Sequence, residues 1–173
     1  MDSKTEIRAR MRYLESLLTP EAADRETRSI WTRVENLESF RKAGTVLSYM
    51  DIPGEVPTVA FMDKWRGSKR FAIPLVVEDS LEFCEYDPER LRPGYKGIPE
   101  PSPEALPISA GEVDFALIPG VAFAFRDGRL WRLGRGKGFY DRTLPRLNCP
   151  KWGVFYSFRL LKEIPLDSWD RPL

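Results

Sequence analysis

The run Val113-Asp114-Phe115-Ala116-Leu117-Ile118, stopped by Pro119-Gly120, is short, mostly apolar and bounded by turn residues. It reads as a buried strand, of the kind that a parallel sheet flanked by helices requires. Thr45 to Tyr49, after Gly44, is a second such run, and Phe71 to Val77 a third. Leu81, Phe83 and Glu85 alternate with Glu82, Cys84 and Tyr86, as in a strand with one exposed face, and Gly153 to Phe158 reads as another strand.

Helical patterns lie around these runs. Ile7, Met11, Leu14 and Leu18 recur at helical spacing, with Lys4, Arg8 and Arg12 along another face. Thr19 suits an N-cap and Pro20 the first position of a second amphipathic helix, continued by Ala23, Thr27, Ile30, Val34 and Leu37. Asp51-Ile52-Pro53-Gly54-Glu55 is turn chemistry, Thr58 to Trp65 predicts a third helix, and Phe139 to Leu144 a helix start; Pro88 to Pro107 reads mostly as loop. Strands that alternate with helices predict a three-layer α/β domain of Rossmann-like type. Its largely parallel sheet has helices on both faces, and ligands bind beyond the carboxyl ends of its strands.

The 173 residues, 42% of them hydrophobic, fit one domain over 1–173. No apolar stretch approaches the roughly 20 residues of a membrane span, and the charged N-terminus has no signal-peptide core, so a cytoplasmic protein with no membrane partner is expected. Cys84 and Cys149 are too few for a disulfide framework or a cysteine zinc site. The chain has no histidine, which removes Ser-His and Cys-His nucleophiles, histidine zinc sites and imidazole acid–base catalysis.

The net charge of +1 conceals a polarised layout. Seven basic residues fall between Arg126 and Arg146 against Asp127 and Asp141, whereas six acids crowd the stretch from Glu78 to Arg90. A confined basic block in a nearly neutral chain argues for a defined anionic ligand and against nucleic acid as a partner.

That block contains Arg132-Leu133-Gly134-Arg135-Gly136-Lys137-Gly138-Phe139-Tyr140-Asp141, which has neither Walker-loop nor dinucleotide-loop spacing. Its three glycines let the backbone take positive φ and turn successive amides toward an anion, while Arg135 and Lys137 supply charge. A helix starting near Phe139 adds its free amides and dipole, and Asp141 just inside it suits Mg²⁺ held against phosphate oxygens. A basic surface loop with a capping aspartate is the alternative. Lys4 and Arg8, four residues apart, could share a polyphosphate, although by itself such a pair is more often a solvated helix face.

Together these residues make the chain resemble the 5-formyltetrahydrofolate cyclo-ligase, or methenyltetrahydrofolate synthetase, family. The resemblance rests on Lys4 and Arg8, Tyr49 with Gly54-Glu55-Val56 and Thr58, Gly97-Ile98 with Glu100-Pro101, Ile118 to Phe123, and Arg132 to Asp141. It implies a fold similar to the NagB/RpiA/CoA-transferase-like one, and a monomeric enzyme that uses ATP and Mg²⁺ to convert 5-formyltetrahydrofolate, polyglutamylated or not, to 5,10-methenyltetrahydrofolate. By position, the resemblance assigns ATP contacts to Lys4, Arg8 and Arg132 to Tyr140, and catalysis to Arg135, Lys137 and Tyr140. It gives Glu55 and Met50 to the pterin, with Arg135 to Phe139 beside the substrate, and Asp141 and Asp170 to the metal. The chain departs from the pattern at Arg159, where a glutamine is common, and at Trp169-Asp170, where a His-Asp pair is common. An enzyme for another formylated or carboxylated small molecule, or an RNA-binding module built on Trp131 and Phe139, are the other readings.

Overall fold

A computed structural model describes residues 2–94 and 97–173. Its strands, among the described residues, are β1 (Thr45–Leu47), β2 (Arg70–Val77), β3 (Ser80–Glu85), β4 (Leu91–Pro93), β5 (Pro99–Pro101), β6 (Pro107–Ile108), β7 (Phe115–Ile118), β8 (Ala122–Arg126), β9 (Arg129–Leu133) and β10 (Lys151–Gly153). The helices are α1 (Lys4–Ser16), α2 (Pro20–Asn36), α3 (Glu38–Lys42), α4 (Val59–Trp65) and α5 (Phe139–Thr143).

Six strands form the central sheet in the order β10-β7-β1-β2-β3-β6. The first four run parallel, and β3 and β6 extend the sheet antiparallel. In register, Val46 stands between Phe115 and Phe71, and Leu47 between Ala116 and Ala72. Because side chains alternate along a strand, Val46, Phe71, Ile73, Phe115 and Leu117 face Val34, Phe40, Phe61 and Met62 of α2, α3 and α4. Leu47, Ala72, Phe83, Ala116 and Ile118 face the other way, against Leu144 and Leu147 beyond α5. The central strands are therefore covered on both sides, which is why their sequences are continuously apolar.

Local signals place the first two helices. Ser3 and Glu6 form a reciprocal capping box before α1, and Thr19 accepts the Ala22 amide with Pro20 at the first position of α2. Helix α1 does not lie on the sheet. Its Ile7 and Met11 pack against Ala122, Ala124 and Leu133 of the β8–β9 hairpin.

That hairpin is not among the elements expected from the apolar patterns. Asp127 and Gly128, both at positive φ (52° and 73°), connect Arg126 to its partner Arg129 in a two-residue loop. An Asp-Gly pair between alternating apolar runs is a strong hairpin signal, so the information was present.

Four other expectations shift. The strand expected over Gly153 to Phe158 lies at Lys151–Gly153, because Phe155 leaves the sheet to stack on Phe123 at 4.0 Å. The stretch from Pro88 to Pro107 holds the β4–β5 ribbon and a short 3-10 turn in addition to loop. On β3 only Glu82 is solvent-exposed on the polar face, since Cys84 and the following Tyr86 are buried. Finally, α5 has five residues, too few for a strong helix dipole.

Phe40 is the keystone of the helical side. It is fully buried, with its ring 5.4 Å from those of Phe61 and Trp65 and 5.7 Å from that of Phe115. Phe40→Ala should cost about 3–5 kcal/mol through lost contacts and a cavity. Urea titration checks this: the midpoint should fall with an unchanged slope.

Candidate functional site

Strand β1 is flanked by β2 on one side and β7 on the other. Loops leaving the carboxyl ends of β1 and β7 diverge there, and such a switch point opens a crevice. One lip is the loop after β1. The Tyr49 hydroxyl donates to the Val56 carbonyl (2.9 Å), the Thr58 hydroxyl to the Tyr49 carbonyl (2.6 Å), and the Thr58 amide to Asp51 (2.9 Å). Within this loop the Glu55 amide donates to the Ile52 carbonyl (3.0 Å), and Glu55 Oε2 accepts the Ile52 amide (3.3 Å). The turn thus points Glu55 and holds it. The other lip is Pro119-Gly120, directly after β7.

Strand β9 brings Arg132 and the glycine-rich segment over this crevice. Two arginines clamp the segment: Arg8 Nε donates to the Gly134 carbonyl (3.0 Å) and Arg142 Nη2 to the Lys137 carbonyl (2.9 Å). Gly136 and Gly138 adopt positive φ (102° and 68°), as a backbone nest needs. Gly134 does not, contrary to the sequence reading. Its requirement is space, because a Cβ there would lie 2.4 Å from Arg132 Nη2.

Glu55, Pro119, Gly120, Arg132, Gly134, Arg135, Lys137, Gly138, Phe139 and Tyr140 consequently line one cleft. Arg135 Nη2 reaches Glu55 Oε1 at 3.2 Å and so links the two lips. Arg132 is 6% exposed, its guanidinium sits 4.8 Å from the Tyr140 ring centre, and its buried Nη1 has no partner among the described residues. A buried donor of this kind is costly unless an acceptor arrives, so it marks a place for a ligand oxygen. Burial pushes the Glu55 carboxyl above its usual range, opposed by Arg135 and the Ile52 amide. Burial likewise raises the Tyr140 hydroxyl and opposes the charge of Arg132.

The remaining sequence candidates are not among the residues that line this cleft. Leu133 points into the core against α1, and half-buried Met50 packs on the helical side of the sheet. Lys4 holds Asp167 (2.7 Å) and Asp170 (2.6 Å); burial lowers its pKa, but the two carboxylates outweigh this and leave it raised. Asp170 Oδ2 also accepts the Asp167 amide at 2.7 Å. Asp141 lies in the first turn of α5, and it and Asp170 are carboxylates whose charge acts on Arg132. No group of three or more metal-binding side chains occurs among the described residues. Mg²⁺ commonly takes one or two carboxylates and completes its shell with phosphate oxygens and water; Asp141 and Asp170 are donors of that chemical type, and Asp170 Oδ2 is here held by Lys4 and the Asp167 amide.

Pro119, Gly120 and Arg159 were not singled out as site residues from the sequence. The first two carried a signal, a Pro-Gly turn at the end of a buried strand. A larger groove of about 800 Å³ runs beside β10 past Val34, Phe125 and Trp152, but it is mostly apolar and no residue of the glycine-rich segment lines it.

A family model described as the 5-formyltetrahydrofolate cyclo-ligase family matches residues 1–173. The chain is 33% identical to the 5-formyltetrahydrofolate cyclo-ligase of Escherichia coli, over 90% of this chain and 89% of that protein. It is 29% identical to the enzyme of the same name from Haemophilus influenzae, over 98% and 94%. The solved structure of Aquifex aeolicus 5,10-methenyltetrahydrofolate synthetase is similar with a TM-score of 0.86 at 33% identity, covering 98% of this chain and 86% of that one.

The raised Glu55 pKa has a consequence for stability. The protonated form contributes stability that is complete below the ordinary carboxylate value of 4.5 and is lost as pH rises through the folded value. Ionised Glu55 therefore opposes folding at neutral pH. Glu55→Gln should raise Tm at pH 7, with the gain shrinking as pH falls through the raised folded value and gone below 4.5. Calorimetry across pH measures it, and a lower Tm for the variant at pH 7 would mean that the Arg135 pair outweighs burial.

Proposed function

Because this chain belongs to the 5-formyltetrahydrofolate cyclo-ligase family, we propose that its cleft is where ATP drives closure of 5-formyltetrahydrofolate to 5,10-methenyltetrahydrofolate, with release of ADP and phosphate. The observation that carries this assignment is the convergence of a largely desolvated carboxylate, Glu55, and a clamped glycine-rich cation loop on one crevice, joined by the Arg135–Glu55 contact.

The chemistry suits a protein without histidine. The formyl oxygen attacks the terminal phosphoryl group of ATP and ADP leaves. The folate's own N10 nitrogen then attacks the activated carbon, and the former formyl oxygen departs as phosphate. Both nucleophiles belong to the substrate, so the protein has to position and to stabilise charge. Effective molarity is the main resource, and the crevice supplies it by holding the folate across from the triphosphate.

The residue roles in this reading are those that the family resemblance assigns. Glu55 accepts hydrogen bonds from the pterin ring, and Met50 packs beside that ring. Gly134, Gly136 and Gly138 let amides and the Lys137 ammonium approach the transferred phosphoryl group, while Arg132 Nη1 offers its free donor to an anionic oxygen. Arg8 orders the loop from behind and extends its charge. Arg135 serves both lips: paired with Glu55 in this structure, it would be released to phosphoryl charge once the pterin occupies that carboxylate. Leu133 and Phe139 seat the segment in the core, and Tyr140 walls the formyl end. Mg²⁺, held by Asp141 with Asp170, would neutralise triphosphate charge. Lys4 draws Asp170 toward α1 and so fixes that carboxylate. The polyglutamate tail of a folate would run out of the open side of the cleft, and cytoplasmic folates are the expected pool.

The direct test is to mix protein, MgATP and 5-formyltetrahydrofolate and follow the near-ultraviolet absorbance of the methenyl product. A rise that requires both ATP and Mg²⁺ is expected; a folded protein that gives none would remove the assignment. Lys137→Ala should lower kcat more than it weakens ATP binding. Its ammonium meets charge that develops during transfer, a contact worth about 2–4 kcal/mol or roughly 30- to 1000-fold in rate. Lys137→Arg should recover little, since a planar fork does not replace a compact charge in a tight loop.

A further inference from the structure

We propose that Arg159 is a positioning residue that sets the spacing of the two lips and, through Glu55, the affinity for the folate substrate. This rests on the reading of Glu55 as the carboxylate that holds the pterin.

Arg159 ends the 3-10 turn Ser157–Arg159 that follows β10, and it is 2% exposed. Its Nη1 donates to the Val121 carbonyl at 2.9 Å. Its Nη2 donates to the Gly54 carbonyl at 2.6 Å and to Glu15 Oε2 at 2.8 Å. Gly54 immediately precedes Glu55, and Val121 immediately follows the Pro119-Gly120 lip. One rigid guanidinium therefore ties the backbone of both lips together, and ties both to α1 through Glu15.

The packing leaves little tolerance. A Cβ on Gly54 would lie 2.0 Å from the Glu15 carboxylate carbon, so glycine, carboxylate and guanidinium fill one space. The guanidinium also lies 4.8 Å from the Phe158 ring centre, and its Nε is buried without a partner among the described residues. A charge held under such restraint, with one donor unsatisfied, is expensive to keep unless its geometry is used. A glutamine at 159 would have one amide group and no charge, and could not span Val121, Gly54 and Glu15 at once.

The test uses steady-state kinetics of the whole chain with MgATP and 5-formyltetrahydrofolate. Arg159→Gln should raise KM for the folate about tenfold while KM for ATP and kcat stay within about twofold, the signature of lost ground-state binding at one lip. In a Glu55→Gln background the same change should add almost nothing, because both act through one contact. Arg159→Lys, which keeps charge but loses the fork, should restore only part of the folate affinity. If Arg159→Gln fails to fold, Glu15→Gln probes the same tie from its half-exposed end and should raise only the folate KM. Parallel rises in both KM values, or full additivity with Glu55→Gln, would reduce Arg159 to a general support and overturn the proposal. A folate KM that responds to Glu55→Gln but not to Arg159→Gln or Glu15→Gln would sink the positioning role alone. A folate KM untouched by Glu55→Gln itself would remove the carboxylate assignment and this inference with it.

Discussion

The pairing of β1 with β7 is the constraint on which the site depends. Val46 opposite Phe115 and Leu47 opposite Ala116 put two parallel strands side by side whose continuations travel to opposite halves of the sheet. No backbone hydrogen-bond ladder can then close the gap above them, and that gap is the crevice. The loop carrying Glu55 and the Pro119-Gly120 turn inherit their separation from these strands. The rigidity comes from below, where Phe40, Phe61, Phe71 and Phe115 pack on the same residues that set the register.

Above this floor the molecule keeps charges where water is scarce. Glu55 and Arg132 are both largely desolvated, and each is only partly compensated by protein groups. Compensation from outside is the simplest use for such a pattern: a ligand that donates to the carboxylate and presents oxygens to the guanidinium completes both sets of hydrogen bonds. Arg135 bridges the two regions in the meantime and is half-exposed, so its contact with Glu55 exchanges readily with ligand groups.

Much of this was legible in the residues, though unevenly. Buried strands, capped helices and the glycine-rich basic segment are written locally, in apolar runs, Ser3 and Thr19 caps, and glycine spacing. The type of fold followed from their alternation. What failed was decided by distant partners. Phe155 looks like strand until Phe123 claims it, and nothing next to Arg159 in the sequence announces Glu15 and the two carbonyls, far away along the chain, that enclose it. The hairpin at Asp127-Gly128 is a different case, since its turn chemistry is local and stands in the sequence. Within the site, sequence located the glycine-rich loop but not the reason for each glycine.

That last distinction reaches into genetics. Gly136 and Gly138 are required by backbone conformation, so a side chain at either is strained whatever surrounds it. Gly134 is required by the volume of Arg132, a neighbour two residues away that can itself be altered. Damage at position 134 is therefore suppressible in principle by a smaller residue at 132, at the expense of the guanidinium. Damage at 136 or 138 has no such second-site remedy, so three glycines in one short loop differ in the evolutionary routes open to them.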